Sequence, residues 1–170
     1  MSDVETVFVM GVSGVGKTTF GAALASELGT KFIDADDLHP AANKAKMAAG
    51  IPLTDADRLP WLDAVGLAAS RQPSVVACSA LRRRYREHLL TLVPTAVFIH
   101  LHVGREDLAE RVSARAHEYM PASLLDSQLA TLEPLEQDEP GFRIDATMAT
   151  EDLLQEAAAR LAPQRRPSDV

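Results

Sequence analysis

The chain has very little cysteine, no long apolar run and no excess of positive charge. Its 170 residues include one cysteine, Cys78, so neither an intrachain disulfide nor a cysteine-rich metal site can form. No run approaches the roughly 20 apolar residues that cross a bilayer, and the acidic N-terminus is unlike a signal peptide. The net charge of −7 disfavours nucleic acid as the main partner. We therefore expect a cytoplasmic protein with no nucleic-acid or membrane partner.

Short apolar runs rich in β-branched residues alternate along the chain with longer helical patterns. The predicted strands are Val4–Met10, Lys31–Asp34, Ser74–Cys78, Ala96–Val103 and Phe142–Asp145. The predicted helices are Thr18–Leu28, Ala41–Ala49, Leu59–Arg71, Arg82–Leu92, Arg105–Ala114, Ala122–Leu132 and Glu151–Leu161. This alternation predicts an α/β fold, in which helices cover both faces of a five-stranded parallel sheet. We expect one domain over residues 1–162 and a frayed tail at 163–170.

A glycine-rich segment directly follows the first apolar run. It matches the phosphate-binding loop pattern G-x-x-x-x-G-K-[ST] at every defined position. Lys17 suits the β- and γ-phosphates of a nucleotide, and the Thr18 hydroxyl is a candidate Mg²⁺ ligand. The alternative is a glycine-rich turn with a chance lysine, which the strand before and the helix after disfavour. The predicted nucleoside triphosphate site consists of Gly11, Val12, Ser13, Gly14, Val15, Gly16, Lys17, Thr18 and Thr19.

Polar residues also follow other predicted strands, at the sheet edge where ligands of parallel sheets bind. After the second strand, an extended chain turns the carboxylates of Asp34 and Asp36 to the same side, toward the phosphate loop. In that arrangement one carboxylate holds Mg²⁺ through water, for which Asp34 is our candidate, and the other accepts a hydrogen bond from an attacking hydroxyl. The alternative is an aspartate that caps the next helix, which we favour for Asp37.

Five further motifs occur between the predicted strands and helices. They are Asp36-Asp37-Leu38-His39-Pro40, Asn43 to Met47, Gly50 to Leu62, Cys78 to Arg86, and Leu124 to Glu133. In this order and at these spacings, over about residues 6 to 155, the chain resembles the gluconokinase family of sugar-acid kinases. The resemblance implies a P-loop kinase fold with strand order 2-3-1-4-5, a helical lid at about residues 112–124, and a homodimer. It also implies transfer of phosphate from ATP, with Mg²⁺, to the 6-hydroxyl of D-gluconate, with Asp36 as the general base or orienting group.

A pocket for gluconate needs cations for the carboxylate and several groups that bind hydroxyls. The predicted substrate residues are Asp36, His39, Asn43, Lys46, Asp57, Arg58, Ser79, Arg82 and Gln128. Arg82 is the arginine nearest the end of the third strand, where Ser79 also offers a backbone N–H group. For His39, a structural role remains an equal alternative.

Other residues near these motifs receive a structural interpretation. Trp61 is favoured as core or hinge packing over a platform for the sugar. Arg83 and Arg84 diverge from the helix face of Arg82 and are expected to be solvated. Cys78 is interpreted as a small buried side chain and not as a nucleophile.

Arg111 and Arg115 lie four residues apart, so a helix places both guanidinium groups on one face. In the resembling kinases such arginines belong to a lid that closes over the phosphates, and we assign both a catalytic role. An amphipathic helix with acid–arginine pairs is the alternative. The family's lid reads Arg-x-x-His-Phe-Met, but here Glu118 takes the histidine position and His117 precedes it. Asp145 follows the fifth strand, where related kinases bind adenine, so we predict a nucleotide contact there.

Two other functions compete with this interpretation. A shikimate-like kinase would share the fold and the paired aspartates, but the long Gly50–Leu62 segment argues against it. A nucleotide-dependent switch would not need a second polar pocket. The sequence favours a kinase that acts on a small sugar acid.

Overall fold

The computed structural model describes residues 5–114 and 122–162 and contains a five-stranded sheet in which every pair is parallel. The strands are β1 Val7–Met10, β2 Lys31–Asp34, β3 Ser74–Ala77, β4 Val97–His102 and β5 Gly141–Asp145. Their order in the sheet is β2-β3-β1-β4-β5. The predicted fold class and strand order are therefore confirmed.

Helices follow most strands, as a right-handed crossover connection requires. They are α1 Lys17–Leu28, α2 Ala41–Ala48, α3 Asp55–Ser70, α4 Arg83–Leu92, α5 Arg105–Ala114, α6 Ala122–Thr131 and α7 Thr150–Leu161, with a 3₁₀ helix at Ala35–Leu38. Two differences from the prediction matter for the site. The 3₁₀ helix was not predicted, and α3 begins four residues earlier than Leu59 although Pro60 lies inside it. None of these helices in residues 5–114 and 122–162 is long and apolar enough to cross a membrane.

The core has two parts, one on each face of the sheet. Alternate residues of a strand point to opposite faces, so Phe98 of β4 packs with α3 and α4 while Ile99 packs with α1 and α7. All four residues of β1 and all four of β3 are buried. β1 and β3 are thus covered on both faces, and the loops at their carboxyl ends start from defined positions.

The loop after β1 leaves the sheet very close to β4. A Cβ atom on Gly11 would lie 2.8 Å from the carbonyl oxygen of Leu101, and Gly11 has a φ of +144°. Both the contact and the angle require glycine. The loop after β1, the 3₁₀ helix after β2 and residues 78–80 after β3 consequently meet at one edge of the sheet.

Candidate active site

The phosphate loop wraps around the first turn of α1. Gly16 caps this helix in the left-handed conformation, with φ at +99°. The Lys17 ammonium folds back and donates to the carbonyl oxygen of Val12 at 3.0 Å. Burial lowers the pKa of Lys17, while the carboxylates of Asp36 and Asp34 act in the opposite direction. A helix N-terminus and a buried cation together make this loop suited to bind phosphate.

Asp34 ends β2 and links it to the phosphate loop. Its Oδ1 accepts a hydrogen bond from the N–H of Asp36 at 3.0 Å and thereby caps the 3₁₀ helix. Its Oδ2 lies 3.4 Å from the Thr18 hydroxyl. The chain therefore turns immediately after Asp34. The prediction that residues Asp34 to Asp36 are extended is wrong. Asp34, not Asp37, provides the cap.

Asp36 lies on the 3₁₀ helix, and its charge interacts with that of Lys17. The pKa of Asp36 is raised above its ordinary value, chiefly by partial burial. The Lys17 ammonium acts in the opposite direction. The neighbouring carboxylates of Asp34 and Asp37 add to the rise. The side chain remains 72% exposed. A carboxylate that is exposed on one side and faces a cation on the other is accessible to an incoming hydroxyl.

His39 and Asn43 form a buried polar pair beside Asp36. His39 Nε2 lies 3.9 Å from Asp36 Oδ1, and its Nδ1 lies 3.2 Å from Asn43 Nδ2. The ring stacks on Trp61, with centroids 4.2 Å apart and planes 12° apart. The Trp61 indole donates to the carbonyl oxygen of Ala35 at 2.7 Å. Trp61 thus packs under the 3₁₀ helix and holds His39 in place.

Asp57 lies in the first turn of α3 and anchors Lys46. Its Oδ2 accepts from Lys46 Nζ at 2.8 Å and from the N–H of Thr54 at 2.9 Å. Thr54 Oγ1 in turn accepts from the Asp57 N–H, which completes a capping box. The Lys46 bond, followed by the Thr54 bond, lowers the pKa of Asp57 to about 2. In this structure Asp57 supports the helix and the lysine, a different role from the predicted substrate contact.

Arg58 is held at the same end of α3 by Leu53, which precedes the helix, and by Tyr85 of α4. Its Nη1 donates to the carbonyl oxygen of Leu53 at 2.6 Å and to the Tyr85 hydroxyl at 3.1 Å. The Tyr85 hydroxyl donates to Asp55, which also pairs with Arg84 at 2.8 Å. Sequence reasoning assigned no role to Tyr85. The spacing of Arg82, Tyr85 and Arg86 places them on one face of a helix. This spacing was the signal in the sequence that could have pointed to Tyr85.

Residues 78–80 join β3 to this site through the backbone. The carbonyl oxygen of Ser79 accepts from the Gly11 N–H at 3.3 Å, and Ala80 has a φ of +41°. Arg86 donates to the Ala80 carbonyl oxygen at 2.9 Å and forms two bonds with Glu139, at 2.6 and 2.9 Å. Arg86 is 0% exposed. This buried ion pair, which the sequence did not indicate, holds the segment beside the phosphate loop.

Three other side chains, on α4 or in the segment before it, have defined environments. Arg83 was expected to be solvated. It instead forms ion pairs with the carboxylates of Glu87, Glu136 and Asp138. Arg82 caps α4 with extended backbone and is partly buried. Cys78 is buried, and burial raises its pKa to about 12. Cys78 is therefore a protonated thiol at neutral pH.

A cavity of about 220 Å³ lies on the other side of the phosphate loop. Its lining includes Val15, Gly16, Thr19, Phe20, Arg111, Ala146 and Met148. Arg111 spans it, donating to the carbonyl oxygens of Val15 at 3.2 Å and Ala146 at 2.6 Å. The Asp145 carboxylate accepts from the N–H and hydroxyl of Thr147, at 2.9 and 2.7 Å. Asp145 thus shapes the adjoining turn.

The remaining predicted residues fall outside the acceptor side. Gln128 of α6 accepts from the Ser13 N–H at 2.7 Å and donates to the Ser13 hydroxyl at 3.0 Å. It contacts the phosphate loop, whereas a contact with the substrate was predicted. Arg115, with His117 and Glu118, lies outside the described residues, as does the central part of the predicted lid at 112–124.

Two buried histidines make stability depend on pH. Burial lowers the pKa of His39 and His100 to about 4, helped by the charges of Arg58 and Arg143 respectively. The unfolded chain therefore binds more protons than the folded one between pH 4 and 6.5, and the free energy of unfolding falls as the pH drops through this window. We expect His100→Gln to reduce the change in urea midpoint between these pH values, because it removes one of the two groups that take up a proton only in the unfolded chain within this window. An unaltered pH slope in His100→Gln would contradict this expectation.

Comparison with known proteins agrees with this geometry. The shikimate kinase family model matches residues 13–161. A gluconokinase from Gluconobacter oxydans is 46% identical over 153 residues, which cover 87% of this chain and 86% of that protein. A thermosensitive gluconokinase from Escherichia coli is 43% identical over 147 residues, or 83% of this chain and 79% of that protein.

A solved structure gives the same result. The crystal structure of a gluconokinase from Sinorhizobium meliloti has a TM-score of 0.89 and 44% identity to this chain, and covers 95% of this chain and 93% of its own. The similarity extends over both the donor and the acceptor side of the site. The chain belongs to the gluconokinase family, with a P-loop domain of the shikimate kinase type.

Proposed function

We propose that this protein is a gluconokinase that transfers the γ-phosphoryl group of ATP to the 6-hydroxyl of D-gluconate, forming 6-phospho-D-gluconate and ADP. The observation that carries the proposal is that the phosphate loop with Lys17 and the 3₁₀ helix with Asp36 meet at one end of the sheet, where the charges of these two residues influence each other. The gluconokinases similar to this chain support the choice of substrate. Phosphoryl transfer depends mainly on positioning and charge compensation, which this arrangement provides.

The donor side fits ATP with Mg²⁺. We assign the loop amides and Lys17 to bind the phosphates. The cavity that Arg111 lines is assigned to the nucleoside. The Thr18 hydroxyl and the Asp34 carboxylate supply the hard oxygen ligands that Mg²⁺ prefers. When bound there, Mg²⁺ neutralises charge on the phosphate oxygens. Arg111, and Arg115 beyond the described residues, are assigned to stabilise the transferred group.

The acceptor side fits a polyhydroxy acid. Asp36 accepts the proton of the attacking hydroxyl, because it is the exposed carboxylate nearest the phosphate loop on the 3₁₀ helix. Arg58, Arg82 and Lys46 are the candidate partners of the gluconate carboxylate. His39 and Asn43 beside Asp36, and Ser79 after β3, carry groups that bind hydroxyls. Asp57 acts indirectly, by holding Lys46.

The proposal includes a homodimer and a cytoplasmic location. The dimer follows the family resemblance, and the location follows the single buried thiol and the acidic composition. Neither affects the assignment of the residues above.

A coupled assay of ADP release tests the function. The protein is incubated with ATP and Mg²⁺ together with gluconate, with shikimate, or without an acceptor. We expect fast release only with gluconate, and a product phosphorylated at the 6-position by mass spectrometry and ³¹P NMR. Faster release with shikimate would favour the shikimate-like alternative, and release independent of any acceptor would overturn the kinase assignment.

A further inference from the structure

The hydrogen bonds of Asn43 determine where the proton of His39 lies. Asn43 Nδ2 donates to the carbonyl oxygen of Asp57 at 2.9 Å, and a carbonyl oxygen only accepts, so this atom is the amide nitrogen. The same nitrogen lies 3.2 Å from His39 Nδ1. Since the amide nitrogen carries hydrogens and no acceptor, Nδ1 is the acceptor of this bond. The proton of a neutral His39 is therefore on Nε2.

The surroundings of His39 keep the ring neutral and in one orientation. The side chain is 4% exposed and lies flat against Trp61. The charged groups that face it are Asp36 on the 3₁₀ helix, Arg58 on α3 and Lys44 on α2. Burial and the two cations disfavour an imidazolium, and only Asp36 favours one. His39 is thus a neutral donor with its N–H group at a defined position.

His39 Nε2 and Asp36 Oδ1 are separated by a distance that suits a shared ligand. At 3.9 Å they are too far apart for a direct hydrogen bond. An oxygen atom about 2.8 Å from each of them would bind both. A hydroxyl group matches this pair because it donates one hydrogen and accepts another. A carboxylate does not match, because it has no hydrogen for Asp36.

We propose that His39 Nε2–H and the Asp36 carboxylate bind one hydroxyl group of the sugar-acid substrate, and that Asn43 is the positioning residue that keeps the His39 proton on Nε2. The hydroxyl donates to Asp36 and accepts from His39. His39 keeps its own proton throughout, so it orients the hydroxyl and transfers nothing. The inference rests on the proposed function and assigns a specific donor–acceptor pair within that site.

Two substitutions of His39 separate this role from packing. Both His39→Gln and His39→Asn lose the stacking on Trp61, but a glutamine amide reaches the position of Nε2 and an asparagine amide reaches only that of Nδ1. We expect His39→Gln to keep kcat/KM for gluconate within about tenfold of wild type, and His39→Asn to lower it by a further factor of about 10–100. The KM for ATP remains unchanged in both. Equal kcat/KM values in the two variants would overturn the proposal.

The tautomer is tested on the whole protein without any assay of activity. Two-bond ¹H–¹⁵N NMR spectra of the imidazole groups, assigned with His39→Gln, should show a neutral His39 with its proton on Nε2. In Asn43→Asp the new carboxylate accepts from Nδ1, and the spectrum should change to that of a ring protonated on Nδ1. A wild-type ring protonated on Nδ1 overturns the inference alone, since gluconate turnover is measured separately. Absence of gluconate turnover in the wild-type protein overturns the proposed function and the hydroxyl assignment with it.

Discussion

Replacing Asp36 with asparagine should lower the kcat for gluconate phosphorylation by about 10²–10⁴-fold. The amide has the size of the carboxylate but cannot accept the proton of the attacking hydroxyl. Because we assign Asp36 to the acceptor and not to the donor, the KM for ATP should stay within about twofold of wild type. Steady-state kinetics with varied gluconate and varied ATP measure both quantities.

Asp37→Asn is the matched control for this experiment. Asp37 is the next residue of the same 3₁₀ helix and is also exposed. Its replacement by asparagine removes the same charge. We expect its kcat to remain close to the wild-type value. If Asp36→Asn and Asp37→Asn have equal turnover, Asp36 is not the base and the local negative charge explains any common effect.

Replacing Arg86 with methionine should lower the free energy of unfolding by about 3–5 kcal/mol. The substitution leaves the Glu139 carboxylate buried without its cation and removes the donor to the Ala80 carbonyl oxygen. Burial alone would raise the pKa of Glu139, but the bonds from Arg86 and from the Glu136 N–H hold it below its ordinary value. Urea unfolding at pH 7, followed by circular dichroism, measures the loss.

Arg83→Met provides the control, since it removes an arginine of the same helix whose ion pairs lie at the surface. Surface ion pairs contribute little to stability, so its loss should be much smaller. The double variant Arg86→Met/Glu139→Leu should regain much of the stability, because it removes the unpaired charge as well. Arg86→Met with wild-type stability would show that the pair contributes nothing.

The architecture was accessible from the sequence because it depends on local patterns. The buried run Val7–Met10 directly before a complete phosphate-loop motif identifies β1 and the start of α1. The rule that ligands bind at the carboxyl ends of parallel strands then directs attention to Asp34 and Asp36. Both do lie at that edge, although the chain reaches it through a 3₁₀ helix that the sequence pattern did not reveal.

Contacts between distant residues were not accessible in this way. Gln128 and Ser13 are 115 positions apart, and Arg86 and Glu139 are 53 apart. Nothing in the local sequence distinguishes the buried Arg86 from Arg82, Arg83 and Arg84, which are more exposed. The beginning of α3 was missed for a different reason. The turn-forming and polar residues between Gly50 and Leu59 suggested a loop, but the capping box formed by Thr54 and Asp57 starts the helix within this segment.

The buried position of Cys78 makes this protein a convenient host for chemical labelling. A thiol with a pKa of about 12 that is 1% exposed does not react with maleimides or iodoacetamides under ordinary conditions. The wild-type chain therefore needs no cysteine replacement before a reporter is attached. A cysteine introduced on the exposed side of α7 would be the single reactive thiol, and a fluorophore placed there would report on events at the adjoining cavity beside the phosphate loop.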